Sequence, residues 1–209
     1  MAKNFDWTGY ISKLDEYPPM RVKWCRQLVE ITMPLIKDKG YKTILEVGCS
    51  NGGWIRLFCK LHGLKGYGID TSTFGDHHGF KFKEGDARDM PYDDNSIDIV
   101  FSLGLLEHFN KEERLVVLKE QVRVLAEGGL LICQVPNFHT VYGVRAKILR
   151  DWIDGCHMWT ANDCGEILKS LGMTHVFDGW QGVFPPFKIF DNFGKLFTSE
   201  RLFIFHKLK

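Results

Sequence analysis

Residues 44–53 read Ile-Leu-Glu-Val-Gly-Cys-Ser-Asn-Gly-Gly, a short apolar run that ends in a turn of small residues. An apolar run of this length, stopped by glycine, is typical of a buried strand. Apolar residues then recur at helical spacing at Trp54, Leu57, Phe58 and Leu61. The stretch therefore predicts a strand, a tight turn and a helix, with small residues that let the backbone approach a ligand closely.

The rest of the chain continues this alternation of strands and helices. Further strands are predicted at residues 66–70, 80–84, 97–102 and 130–135. A helix with a capping box at Asn110 and Glu113 carries apolar residues as far as Leu125. Residues 173–178 and 202–207 are predicted to pair antiparallel, because no helix-sized segment separates them. The fold class is α/β, with a Rossmann-like, mostly parallel seven-stranded sheet, an antiparallel edge strand and helices on both faces.

The length of 209 residues suits a single domain, 1–209, with an N-terminal helical cap at 1–40. Only residues 71–79 separate the second and third strands, so the helix between them is expected to be short or missing. Residues 137–159 and 180–198 are too long for plain connections and are predicted insertions that line an acceptor site. The second insertion carries five phenylalanines that could instead form a satellite core or a dimer seam: Phe184, Phe187, Phe190, Phe193 and Phe197.

The composition excludes several classes of function. A net charge of +1 gives no field that favours nucleic acid as a partner. No apolar run approaches the roughly 18 residues of a membrane span, and the first ten residues do not resemble a secretory signal, so we expect a cytoplasmic protein. The six cysteines have irregular spacing, which favours reduced thiols, and no ligand spacing predicts a metal.

Two aspartates follow predicted strands where a nucleoside would bind. Asp70 ends the second strand, where a carboxylate can accept both ribose hydroxyls. Asp86 follows the third strand, where it can accept the exocyclic amine of adenine. A solvated loop residue and a turn cap are the alternatives for these two positions.

Together these stretches resemble class I S-adenosylmethionine-dependent methyltransferases, in the small-molecule branch of the ubiquinone and menaquinone biosynthesis enzymes. The resemblance rests on the segments 45–53, 68–70, 85–87, 102–109 and 125–129, in family order. It implies S-adenosyl-L-methionine as cofactor and a small-molecule O, N or C acceptor. The implied cofactor-binding residues are Glu46, Gly48, Cys49, Ser50, Gly52, Asp70, Thr71, Asp86, Ala87, Ser102 and Leu103.

Ser50 departs from the family pattern, because it stands where the family usually has its second glycine. Methyl transfer from a sulfonium mainly requires positioning, and a base is needed only for a hydroxyl or carbon acceptor. His108 is the candidate catalytic residue, followed by His139, Tyr142 and His157. Trp7 and Tyr10 could fold over the cofactor.

Three alternatives stay open at this level. A nicotinamide-dependent oxidoreductase shares the turn, but Ser50 breaks its GxGxxG fingerprint. A catalytically silent cofactor-binding or regulatory subunit is compatible with the lack of a clear base. A methyltransferase that acts on protein or RNA is the third alternative. The oligomeric state is a separate open question, and a homodimer is one answer to it.

Overall fold

The computed structural model describes residue 18 and residues 23–72, 77–136, 161–183 and 198–208. The helices in these ranges are α1 Lys23–Ile36, α2 Gly53–His62, α3 Lys111–Val124 and α4 Ala161–Ser170. The strands are β1 Thr43–Val47, β2 Lys65–Asp70, β3 Lys81–Glu84, β4 Ile97–Leu103, β5 Leu125–Pro136, β6 Met173–Val183 and β7 Thr198–Lys207. A 3-10 turn spans Leu106–His108.

The strands form one sheet in the order β3-β2-β1-β4-β5-β7-β6. Strands β1 to β5 pair in parallel, and β7 runs antiparallel to both β5 and β6. The predicted fold class is confirmed. Strand β7 lies between β5 and β6, so β6 is the edge strand. The carboxyl ends of β1 to β5 meet along one edge, where open α/β sheets bind their ligands.

Hydrophobic cores cover both faces of the sheet. Leu45 packs on the face covered by α3, with Leu118, whereas Ile44 packs on the opposite face with Leu28 of α1 and Phe58 of α2. Successive strand residues point to opposite faces, so the side chains of a central strand are buried on both faces. This explains why residues 44–47 read as a continuous run of buried side chains.

Three boundaries differ from the sequence-based expectation. Leu125 is the first residue of β5 and not the last of the helix, since it pairs with Ile97 before an irregularity in the register. Strand β6 reaches Val183 and β7 begins at Thr198, so the predicted insertion 180–198 overlaps both strands. Its remaining residues, 184–197, and the insertion 137–159 lie outside the described ranges. Within residues 71–72 and 77–80 there is no helix.

Five of the six cysteines lie in the described part of the chain, and all five are free thiols. Four are buried and Cys59 is partly exposed, whereas Cys156 lies outside the description. Among the described residues, no group of three or more His, Cys, Asp or Glu could hold a metal ion. The helices placed by the structure are all too short or too polar to cross a membrane.

Candidate functional site

The turn after β1 is held in an alternating left-handed conformation. Gly48, Ser50 and Gly52 have φ values of 77°, 48° and 76°. The Gly48 and Cys49 N–H groups donate to the Ile69 carbonyl at 2.8 and 3.1 Å, which ties the turn to β2. A left-handed serine costs about 1–2 kcal/mol that glycine avoids. The sequence departure at Ser50 is therefore a strained position, and its buried Oγ has no hydrogen-bond partner.

Asp70, at the end of β2, faces this turn with an incompletely used carboxylate. Its Oδ2 accepts the Ser50 N–H at 2.8 Å and its Oδ1 accepts the Ser72 N–H at 3.0 Å. A carboxylate offers about four lone-pair sites, so both oxygens keep acceptor capacity. Both Asp70 oxygens can accept a further hydrogen bond, and the buried Ser50 hydroxyl beside them has no partner. This arrangement fits the two adjacent hydroxyls of a ribose.

Glu46 lies in β1 and holds the start of the turn in place. It is buried, and its Oε2 accepts the Ile55 N–H at 2.9 Å in the first turn of α2. Burial raises the pKa of Glu46 well above its usual range, the charge of Asp70 raises it further, and the charge of Arg56 opposes the shift. Glu46 therefore locks β1 to α2, which is a structural role for a predicted cofactor residue.

Phe80 occupies the space beside β2 where the described residues carry no helix. A Cβ at Gly52 would lie 2.3 Å from the Phe80 ring, and one at Gly68 would lie 2.6 Å from it. The His77 ring packs edge-to-face on Phe80 at 5.8 Å. Sequence reasoning missed Phe80, although Gly66 and Gly68 inside a strand signal a close approach.

Asp86 follows β3 and, unlike Asp70, is engaged by a side chain. The Arg88 guanidinium donates to both Asp86 oxygens at 2.6 to 3.1 Å, and the Arg88 backbone N–H donates to Oδ1 at 2.8 Å. These hydrogen bonds from Arg88 lower the pKa of Asp86. Ala87 between them is buried. The two predicted nucleoside carboxylates thus have different surroundings.

The other predicted cofactor residues lie near the same edge. Ser102 is fully buried and its Oγ lies 3.8 Å from Cys133 Sγ, so its hydroxyl contacts β5. Leu103 is partly exposed at the end of β4, and Thr71 is exposed just after Asp70. Cys49 is buried, and burial raises the pKa of its thiol.

The 3-10 turn after β4 carries Glu107 and His108. His108 is partly exposed, and its backbone N–H donates to the Leu105 carbonyl at 3.1 Å. Glu107 is 3% exposed, its Oε2 has no hydrogen-bond partner, and burial raises its pKa to about 8. Arg114 holds the turn by donating from Nε to the Leu106 and Phe109 carbonyls. The unusual carboxyl is Glu107, to which the sequence analysis assigned no role.

Several candidate residues lie outside the described ranges. These are His139, Tyr142, His157, Trp7, Tyr10 and the five phenylalanines between 184 and 197. Their predicted roles stay predictions.

Comparison with known proteins finds similar methyltransferases. The methyltransferase domain family matches residues 45–133, from β1 into β5. Demethylmenaquinone methyltransferase of Staphylococcus aureus (strain MRSA252) is 33% identical in an alignment of 136 positions that covers 55% of this chain and 55% of the relative. Ajmaline N-methyltransferase of Rauvolfia serpentina is 32% identical in an alignment of 107 positions that covers 46% of this chain and 36% of the relative. The chain thus spans about half, or less, of the length of these curated relatives.

A solved structure extends the fold comparison to nearly the whole chain. A chain from the complex between the Haloferax volcanii Trm112 methyltransferase activator and a methyltransferase superposes with a TM-score of 0.73, at 16% identity, over 99% of both chains. At that identity the likeness shows the fold. The predicted resemblance to class I methyltransferases is confirmed by these matches.

Proposed function

We propose that the chain transfers a methyl group from S-adenosyl-L-methionine to a small-molecule acceptor, because residues 45–133 match the methyltransferase domain family. The observation that carries the proposal is the pairing of Asp70 with the strained turn at residues 48–52. Asp70 keeps acceptor capacity on both oxygens, and the Ser50 hydroxyl beside it is buried without a partner.

Different residues of the chain would bind different parts of the cofactor. Asp70 would bind the ribose, Asp86 and Ala87 the adenine, and the turn 48–52 the methionine part. When bound, S-adenosyl-L-methionine supplies a methyl group already activated by its sulfonium. The protein then has to orient the acceptor and exclude water, because in-line transfer depends chiefly on position.

The acceptor is proposed to be a small molecule. Demethylmenaquinone methyltransferase and ajmaline N-methyltransferase, two relatives of the domain, carry the names of small-molecule substrates. The near-neutral charge of the chain also favours a small acceptor over a nucleic acid. His108, which is partly exposed in the 3-10 turn after β4, is the proposed base for an acceptor that needs one.

Calorimetry with S-adenosylhomocysteine tests the cofactor site. We expect wild-type protein to bind in the micromolar range and Asp70→Asn to bind at least tenfold more weakly, because two charge-assisted hydrogen bonds are weakened. Asp93→Asn, at an exposed loop position, is the matched control and should bind like wild type. Absence of binding to wild-type protein, or equal binding by Asp70→Asn, contradicts the site.

Radiolabelled cofactor tests the acceptor class. Purified protein is incubated with a cell extract, and the labelled products are separated by size into metabolites and macromolecules. We expect label in the metabolite fraction. Label confined to protein or RNA supports the macromolecular alternative, and no transfer in several extracts supports the silent subunit.

A further inference from the structure

Arg88 joins two elements that border the candidate adenine site. Its Nη2 donates to Asp86 Oδ2 at 2.6 Å, and its Nη1 donates to Glu113 Oε1 at 2.6 Å. Glu113 belongs to the capping box of α3, in which the Asn110 side chain accepts the Glu113 N–H. The guanidinium also lies 5.9 Å from the centre of the Phe109 ring. Arg88 is therefore held on several sides by residues from two parts of the chain.

These contacts determine how the Asp86 carboxylate is used. Oδ1 accepts both the backbone N–H and the Nε–H of Arg88, at 2.8 and 3.0 Å. Oδ2 accepts the Nη2 donor at 2.6 Å, with a longer Nε contact at 3.1 Å. The Nε–H is shared between the two oxygens, so three N–H groups of Arg88 occupy the carboxylate, and about one of its four lone-pair sites remains for another donor. A bidentate arginine also fixes the plane of the carboxylate.

From this geometry we propose that Arg88 is a positioning residue for base recognition, because it holds the Asp86 carboxylate in place and leaves one acceptor site for the 6-amino group of adenine. The inference rests on the proposed function, since it assumes an adenine nucleoside at this edge. A fixed, deprotonated acceptor accepts an N–H donor and repels a carbonyl oxygen at the same position. Arg88 would therefore set the preference of the site for a 6-amino over a 6-oxo purine.

A purely stabilising role does not account for this arrangement. The Arg88 and Asp86 side chains are 36% and 33% exposed, and ion pairs with such exposure contribute little to stability. Glutamine is a suitable replacement for Arg88 because it removes the charge and the fork of donors while keeping a polar side chain. Lysine keeps the positive charge but lacks the planar set of N–H donors. Comparison of the two variants therefore separates the effect of the charge from the effect of carboxylate orientation.

The test compares two ligands, S-adenosylhomocysteine and its deaminated analogue S-inosylhomocysteine, by calorimetry on the full chain. We expect wild-type protein to prefer the adenine compound at least thirtyfold. Arg88→Gln should reduce this preference at least fivefold, Arg88→Lys should give an intermediate ratio, and the melting temperature should fall by no more than about 4 °C. Lys169→Gln, which removes the exposed ion pair with Glu166 on α4, is the matched control and should leave the ratio unchanged.

The outcomes separate this inference from the proposed function. Binding of neither ligand by wild-type protein contradicts the proposed function itself. An unchanged preference in Arg88→Gln, with normal S-adenosylhomocysteine binding, overturns only the positioning role. Tighter binding of both ligands by Arg88→Gln also overturns it, because Arg88 would then compete with the base for Asp86.

Discussion

The turn after β1 and the turn after β4 leave neighbouring strands of the sheet, yet they are held differently. The β1 turn has three left-handed residues at positions 48, 50 and 52, whereas the only left-handed residue between 104 and 109 is Gly104, with φ 65°. A Cβ added at Gly52 would come within 2.3 Å of Phe80, but one added at Gly104 would stay 3.4 Å from Glu107.

The buried glutamates beside the two turns differ in the same sense. Glu46 uses Oε2 to accept the Ile55 N–H, whereas Glu107 has no partner for its Oε2. The β1 turn is thus fixed by hydrogen bonds to β2 and α2, whereas the β4 turn contains a buried carboxyl oxygen without a hydrogen-bond partner. Under the proposed function, the β1 turn would be preformed for the cofactor and the β4 turn would adapt to the acceptor. Four predictions test this difference between the turns.

The largest expected effect is that of an alanine at Gly52. A left-handed alanine costs about 1–2 kcal/mol and the overlap with Phe80 adds about 1–3 kcal/mol, so Gly52→Ala should lower the free energy of unfolding by about 2–5 kcal/mol. Gly104→Ala is the matched variant and should cost only about 1–2 kcal/mol. Urea unfolding measures both, and equal losses would mean that the two turns are equally tight.

Removal of the Glu46 carboxyl should be the next largest effect. Glu46→Ala leaves the buried Ile55 N–H without an acceptor, which costs about 1–3 kcal/mol. Glu46→Gln keeps an acceptor oxygen and should retain most of the stability. If both variants unfold at the same urea concentration, the bond to α2 does not hold the turn.

Glu107 should make stability depend on pH. The folded protein keeps this proton up to about pH 8, while the unfolded chain releases it near 4.5. Between these values the folded state binds more protons, so stability falls as pH rises, by at most about 1.4 kcal/mol per pH unit from this group. Glu107→Gln removes that contribution, and its unfolding free energy should fall less than that of wild type between pH 6 and pH 7. Parallel pH profiles for the two proteins would contradict the raised pKa of the buried Glu107 carboxyl.

Ser50→Gly should give the smallest change, a gain of about 0.5 kcal/mol. Relief of the left-handed strain slightly exceeds the added flexibility of glycine in the unfolded chain. Asp38→Gly, at an exposed residue with φ 59°, should give a similar gain. Only Ser50→Gly should weaken S-adenosylhomocysteine binding, by a few fold, and equal affinities in the two variants would remove Ser50 from the site.

Local patterns predicted most of the fold. The glycine-rich turn, the capping box at Asn110 and Glu113 and the strand alternation each depend on neighbours within a few residues, and all three are present. The end of the α3 helix was misplaced because Leu125 fits a helical spacing equally well. Pairing with Ile97 decided that it is a strand residue.

The sequence by itself determined that a strand–turn–helix unit opens a mostly parallel sheet, that Asp70 ends one strand and that Asp86 follows the next, because backbone preference and hydrophobic period are local properties. Only the tertiary structure decided that Phe80 packs on Gly52, that Arg88 joins Asp86 to Glu113, and that Glu107 is buried without a partner for its Oε2. These contacts depend on which elements pack together, and burial and charge pairing follow from that packing.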